Sequence, residues 1–365
     1  MEGFFSKLKY LDRTLAVTCF LLLLVGLSLI YSTSLNSSKT IFYHQIVYSL
    51  VATSVFLFFA FFDFRTLTKQ SRYYYIIFVF ALVVLLGVGR VVQGSGRWFN
   101  LGVINLQPAE FMKLIMVLVL ARFFAIRRGE INTWKNLGLS FLYVLIPMAL
   151  IAKQPDLGSA IIIFAIWLGM LFFSTVNKKV FVYLFIILAL FSGVAWKVLL
   201  HDYQKNRIEI FLNPNRDPKG RGYNVRQATI AIGSGGVFGR GLGKGLQSQL
   251  RFLPERQTDF IFASASEELG FLGSMVIIVL YFILLYRLLM IYKICRDDIS
   301  RFLIIGIFFM MLAQIVINAG MNMGIMPVTG IPLPMLSYGG SSLLTVAVSV
   351  GIAEAVAINA RGIRL

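Results

Sequence analysis

Asp259 stands where a basic loop runs into a strongly apolar segment, in the run 252–263 (Phe-Leu-Pro-Glu-Arg-Gln-Thr-Asp-Phe-Ile-Phe-Ala). A charge at a membrane boundary is costly, so such a carboxylate is a functional candidate by default. Beside a cationic, glycine-rich segment it points to chemistry on an anionic, lipid-linked substrate. It also follows Thr258 at the start of an apolar run, so helix capping is the competing role. Glu110 and Lys113 are three residues apart, on one face of a helix. They either fix packing as an ion pair or line a cavity and orient substrate. In the run 153–160, Lys153 and Asp156 flank Pro155. Asp156 reads as a cap for the helix that follows, or as a second carboxylate facing a cavity. The run 232–245 holds seven glycines and ends in Lys244-Gly245. Glycine lets backbone amides approach a phosphate and lysine adds charge. Gly245 stands where a Walker A loop needs Ser or Thr, so this is not one. Its plainer reading is a solvated loop. Glu267 and Glu268, two turns after Asp259, read as paired inside the protein. His44 and His201 are isolated, which supports neither a nucleophilic triad nor a histidine metal site. Cys19 and Cys295 have no metal-ligand spacing and read as packed apolar residues.

The elements that must position these residues are membrane helices. Of 365 residues, 58% are hydrophobic and 14% charged. A hydrocarbon core about 30 Å thick takes about 20 apolar residues per helix. Ten stretches qualify: 14–34, 42–63, 73–92, 106–125, 137–153, 157–175, 180–200, 260–292, 301–322 and 340–359. The expectation is an all-α, polytopic membrane protein of about ten transmembrane helices, forming a single domain over 1–365. The first stretch follows a basic start but lacks an A-x-A-like cleavage site, and reads as a retained helix. The net charge is +18. Most of it follows topology: Lys7, Lys9, Arg13, Arg65, Lys69, Arg72, Arg122, Arg127, Arg128, Lys135, Lys178, Lys179, Arg287, Lys293, Arg296, Arg301, Arg361 and Arg364 fall on one side. The short segments of the other side hold Lys39, Arg90, Arg97 and Lys153. The positive-inside rule then puts both termini in the cytoplasm and the large loop 201–258, between helices 7 and 8, outside. Nucleic acid is not needed to explain the basic balance. Three segments break the apolar rhythm: 87–107, with Gly94, Gly96 and Gly102 around Arg97 and Trp98; 201–258; and 318–342. All fall on the outer face. Irregular backbone near membrane depth survives where protein buries it or water lines it. An outward-facing cavity is expected.

These motifs together resemble the SEDS family (shape, elongation, division and sporulation), over almost the whole chain from about Asp12. They are Gly96-Arg97-Trp98, Gln107-Pro108-Ala109-Glu110, Gln154-Pro155-Asp156-Leu157-Gly158, the glycine run to Lys244, the run 252–263, and Glu267-Glu268-Leu269-Gly270. Pro327 to Pro334 (Pro-Val-Thr-Gly-Ile-Pro-Leu-Pro) and Ser337-Tyr338-Gly339-Gly340-Ser341-Ser342 complete the set. The wording Gly-Ile-Pro-Leu-Pro and Leu-Pro-Glu-Arg-Gln-Thr-Asp is nearer to the elongation branch than to the division branch.

The resemblance implies a peptidoglycan glycosyltransferase of the bacterial inner membrane that polymerises lipid II. It implies a class B penicillin-binding protein as transpeptidase partner, with MreC, MreD and MreB as neighbours. Asp259 matches the family's essential aspartate, which makes it the expected general base. Arg97, Lys113, Lys244 and outer-loop arginines such as Arg251 are candidates for the diphosphate, with Mg²⁺ or Mn²⁺ as a candidate helper; metal ligands are not assigned. Trp98, Glu110, Lys153, Asp156 and Ser337 complete the expected cavity. Two other classes stand beside this one. A lipid II flippase would spread polar groups through the membrane depth. A non-catalytic scaffold would leave Glu110, Lys113 and Asp259 without a purpose.

Overall fold

The computed structural model describes residues 10–35, 39–88, 97–100, 105–194, 202–213, 216–218 and 220–362. Lys7, Lys9, Arg90, Gly94, Gly96, Gly102, His201, Lys219 and Arg364 lie outside the described residues. The chain is almost wholly helical: α1 (Arg13–Ser34), α2 (Thr40–Ala60), α3 (Phe64–Val88), α4 (Pro108–Ile126), α5 (Trp134–Lys153), α6 (Leu157–Phe172) and α7 (Lys178–Val194). Then come α8 (Asp202–Leu212), α9 (Arg221–Ser234), α10 (Leu246–Gln249), α11 (Ile261–Ile294), α12 (Asp298–Asn322) and α13 (Gly340–Ala360). The only strands among the described residues, β1 (Phe99–Asn100) and β2 (Asn105–Leu106), pair antiparallel, Phe99 opposite Leu106.

Ten of these helices lie on the ten apolar stretches. Seven are long and apolar enough to cross a membrane. Of the other three, α4 carries Glu110, Lys113 and Arg122, while α6 and α7 run to 16 and 17 residues. The chain is a multi-pass membrane protein. Helices α4, α12 and α13 form the centre, α12 packing on α4 and α6 and α13 on α2. Outward faces carry Leu50, Phe80, Phe185, Leu190 and Phe282, all exposed, as lipid-facing side chains should be.

Two features go beyond the sequence reading. The first is that 201–258 is not a plain loop, because it contains α8, α9 and α10. The second is a break in α11 at Gly270, where φ is 70° and ψ is −167°. The amides freed there are used at once. Phe271 donates to the Gly236 carbonyl at 2.9 Å and Leu272 to that of Val237 at 3.1 Å. In return Arg240 and Gly241 donate to the carbonyls of Glu267 and Glu268 at 3.0 and 2.9 Å. A Cβ at Gly270 would fall 2.2 Å from the Gly239 nitrogen. The glycine run is thus stitched into the helix break.

At the end away from Asp259, Asp12 accepts from the Leu15 amide and caps α1. Arg287 and Arg361 both pair with its carboxylate. The Asp12 amide donates to Glu354 at 2.8 Å. This cluster ties α1 to the ends of α11 and α13.

Candidate functional site

A cavity of ≈ 740 Å³ opens at the Asp259 end. Residues from all three irregular segments line it, as expected. Arg97, Trp98, Glu110, Asp156 and Asp259 are in its wall. Arg207, Asn224 and Glu255 come from the outer segment, and Tyr48, Thr329 and Tyr338 complete the rim.

Asp259 sits two residues before α11, in the turn that starts the helix. The cap position belongs to Phe260, and no side chain caps α11. The capping role is therefore not the one Asp259 plays, and no described residue hydrogen-bonds its carboxylate. Its backbone is held firmly instead. Asn318 and Asn322 both donate to the Asp259 carbonyl at 2.9 Å. The Asn322 side-chain oxygen also accepts from the Ala263 amide at 3.0 Å. Ser337 donates to the Thr258 carbonyl at 2.6 Å and accepts from the Leu333 amide at 2.8 Å. Gly330 passes so close that a Cβ there would lie 3.3 Å from Asp259 Oδ2. Burial, then Glu255 and Asp156, push the Asp259 carboxyl up to about 7, while Arg207 and Arg97 pull the other way. A carboxylate fixed from behind, unpaired in front and poised near neutrality has the properties of a general base.

Asp156 does cap its helix: its carboxylate accepts from the Ser159 amide at 3.1 Å and hydroxyl at 2.9 Å. It also takes a bond from Gln107 at 3.2 Å and lines the cavity. The cap and the place in the cavity wall fall to one carboxylate. Glu110 Oε1 accepts from Lys113 at 2.7 Å, and both residues are buried. Glu110 Oε2 is buried without a partner at the cavity wall. Arg97 donates to the carbonyls of Gln154 and Pro155, which anchors its charge at the rim.

Five expected site residues are not in the wall. Lys113 lies behind Glu110, and Ser337 supports the Asp259 turn from behind. Lys153, Lys244 and Arg251 are exposed away from the cavity. The glycine run is no open phosphate cradle: Arg240 and Gly241 donate to α11, Gly235, Gly239 and Lys244 donate within the run, and Gly243 donates to Ser32. The Glu267 carboxylate accepts from the amides of Gln247 and Ser248 at 2.8 and 3.0 Å and from the Ser248 hydroxyl at 2.7 Å. Ser32 donates to Glu268 at 2.6 Å. These two glutamates are satisfied by neutral donors rather than by cations.

Sequence reading held Arg207 only as one of the outer-loop arginines and did not single out Glu255, Asn318 or Asn322. Arg207 and Glu255 are ordinary charges in a long loop until α8 and the 252–259 turn fold over the cavity. The asparagines carried a signal: four residues apart, they share one face at the end of an apolar helix. For the candidate divalent cation, no group of three or more His, Cys, Asp or Glu side chains converges among the described residues. Among the described residues the donor set does not fit a metal held by protein side chains alone.

Comparison with known proteins gives a consistent picture. The peptidoglycan glycosyltransferase MrdB of Escherichia coli K12 is 39% identical over 289 residues, 79% of this chain and 78% of that protein. The peptidoglycan glycosyltransferase RodA of Treponema pallidum is 32% identical, covering 96% of this chain and 98% of its own. Among solved structures, a chain of a peptidoglycan synthase complex that coordinates polymerization and crosslinking matches with TM-score 0.85 and 29% identity, covering 96% of this chain and 99% of that one. The rod shape determining protein RodA of Thermus thermophilus matches with TM-score 0.71 and 26% identity, over 96% and 97% of the two chains. The model of the cell cycle protein family FtsW/RodA/SpoVE matches residues 12–362, and the chain belongs to that family, the SEDS proteins.

Proposed function

We propose that this chain is a peptidoglycan glycosyltransferase of the RodA kind, polymerising lipid II into β-1,4 glycan strands for cell elongation. The observation that carries the reading is the Asp259 carboxylate: unpaired, held by its backbone, and set in the wall of a polar cavity. Asp259 takes the proton of the acceptor's GlcNAc 4-hydroxyl. That oxygen bonds to the anomeric carbon of the donor's MurNAc as the bond from that carbon to the diphosphate oxygen breaks. The electron pair leaves with undecaprenyl diphosphate, and the α-linkage becomes β. A diphosphate leaves readily, so no carboxylic acid partner of the glycosidase kind is required. Charge growing on it needs stabilisation, to which the Arg97 and Arg207 guanidiniums contribute. Glu110, with one oxygen spare, and Asp156 orient the sugars.

The related synthase complex, which coordinates polymerization with crosslinking, supports a class B penicillin-binding protein as partner. MreC, MreD and MreB as further neighbours, and the bacterial inner membrane as the location, belong to the same proposal. A flippase and a scaffold remain the competing classes. Purified full-length chain, with and without the transpeptidase, is given labelled lipid II in detergent and in vesicles. Glycan polymer is expected. Translocation without polymer would indicate a flippase, and neither activity a scaffold.

A further inference from the structure

The glycine run has most of its amides committed to α11, to its own carbonyls and to Ser32, whereas a second glycine-containing segment leaves its amides open. Helix α13 starts at Gly340 with Gly339 as cap residue, at φ 156°, and no side chain caps it. The first amides of a helix have no partner within it. Gly339 reaches Gln45 at 3.4 Å. The amides of Gly340, Ser341 and Ser342 find no acceptor among the described residues. All four residues of 339–342 line the cavity that holds Asp259.

A second observation points the same way. Ser342 is 8% exposed, yet its hydroxyl has no hydrogen-bond partner among the described residues. Neighbouring Ser341 is committed: it donates to the Asn105 carbonyl at 2.9 Å and accepts from the Gln107 amide at 3.1 Å. Gly340 is bare backbone under the Tyr48 ring, where a Cβ would lie 3.3 Å from the ring carbons.

The charge around the cavity sets the ligand. Its wall holds Arg97 and Arg207 against Glu110, Asp156, Glu255 and Asp259. Lys113 neutralises only Glu110. With four carboxylates against two guanidiniums in the wall, an anion gains from further donors that bring no carboxylate with them, alongside Arg97 and Arg207. A helix start supplies about half a positive charge together with its free amides.

Resting on the glycosyltransferase reading, we propose that residues 339–342 form the diphosphate site of the cavity. The amides of Gly340, Ser341 and Ser342 and the Ser342 hydroxyl donate to diphosphate oxygens. Asp259 and the helix start then divide the work within one cavity, the first receiving the proton and the second the departing negative charge.

The test measures binding of undecaprenyl diphosphate to the full chain in detergent, with inorganic pyrophosphate and undecaprenyl phosphate as competitors. A hydrogen bond to a charged group is worth enough that Ser342→Ala should weaken binding roughly tenfold. Ser342→Asp puts a carboxylate on the amides and should weaken it further. Lys244→Gln, outside the cavity, should bind as the parent does. Pyrophosphate should compete better than undecaprenyl phosphate, and Ser342→Asp should abolish that competition. Unchanged binding in both Ser342 variants overturns the site, as does loss confined to Lys244→Gln. Should Ser342→Asp fail to fold, Ser342→Ala at unaltered melting temperature decides alone. Glycan synthesis is scored separately. Ser342-dependent binding without polymer would contradict the enzyme reading and leave the site; polymer with Ser342-independent binding would do the reverse.

Discussion

The proposed chemistry rests on one carboxylate with little else to do. Asp259 could have capped α11, and its sequence position invites that role. Instead Asn318 and Asn322 hold its carbonyl and leave the carboxylate facing the cavity. Burial and the neighbouring carboxylates raise its pKa to about 7. A base must be ionised to work. With that pKa roughly a tenth of Asp259 is ionised at pH 6 and about half at pH 7. Glycan synthesis should therefore climb from pH 6 to pH 8, with a midpoint near neutrality. A rate that is flat over that range would remove Asp259 from the proton transfer. The same raised pKa means the folded state holds this proton more tightly than the unfolded chain. Its stabilising effect is complete below the ordinary carboxylate range and disappears as pH rises through about 7. Asn322→Ala removes one grip on the Asp259 carbonyl and the acceptor for the Ala263 amide. It should lower turnover more than it raises KM, because Asn322 touches the base's backbone and no substrate.

The helices were readable because membrane helices announce themselves by length and greasiness, and each of the ten apolar stretches became one. What the residue pattern concealed was how the pieces use one another. The stretch 260–292 is long and mostly apolar, and Glu267, Glu268 and Gly270 within it do not by themselves mark a break. The break becomes legible only beside the glycine run, whose backbone fills it. That is also why the phosphate reading of 232–245 failed: glycines that let a phosphate approach also let a second backbone approach, and composition does not distinguish the two. Gly270→Ala meets both a positive φ and a 2.2 Å contact. It should cost more than about 1 kcal/mol, seen as a lower melting temperature in detergent. Glu267→Ala strips the acceptor from the amides of Gln247 and Ser248. Hydrogen exchange at those two amides should speed up, while exchange along α12 stays as it was. Equal acceleration in both regions would mean the whole bundle had loosened, and that Glu267 is no local clasp.

Across the whole molecule, the cavity lies at one end and the Asp12–Arg287–Arg361 cluster at the other. The positive-inside rule predicts that the cluster end faces the cytoplasm. Both native cysteines are buried, at 7% and 2% exposure, so introduced thiols report cleanly. Lys244→Cys should react with an impermeant thiol reagent from outside intact cells, and Arg296→Cys only after lysis. The opposite pattern would invert the topology and put the cavity on the wrong side for a cell-wall polymer. The placement of the base was half legible in advance: three irregular segments on one face foretold a cavity, and Asp259 stood at the edge of one. Arg207 and Glu255 were not legible, because only the fold brings α8 and the 252–259 turn over the cavity. Asp259 is proposed to carry the polymerisation of lipid II, and the direct test compares the parent chain with Asp259→Asn, each with the transpeptidase partner. A positioned base is worth about 10²–10⁴-fold, so the variant should lose at least a hundredfold in glycan synthesis while keeping its melting temperature. Near-normal polymer from Asp259→Asn would contradict the account.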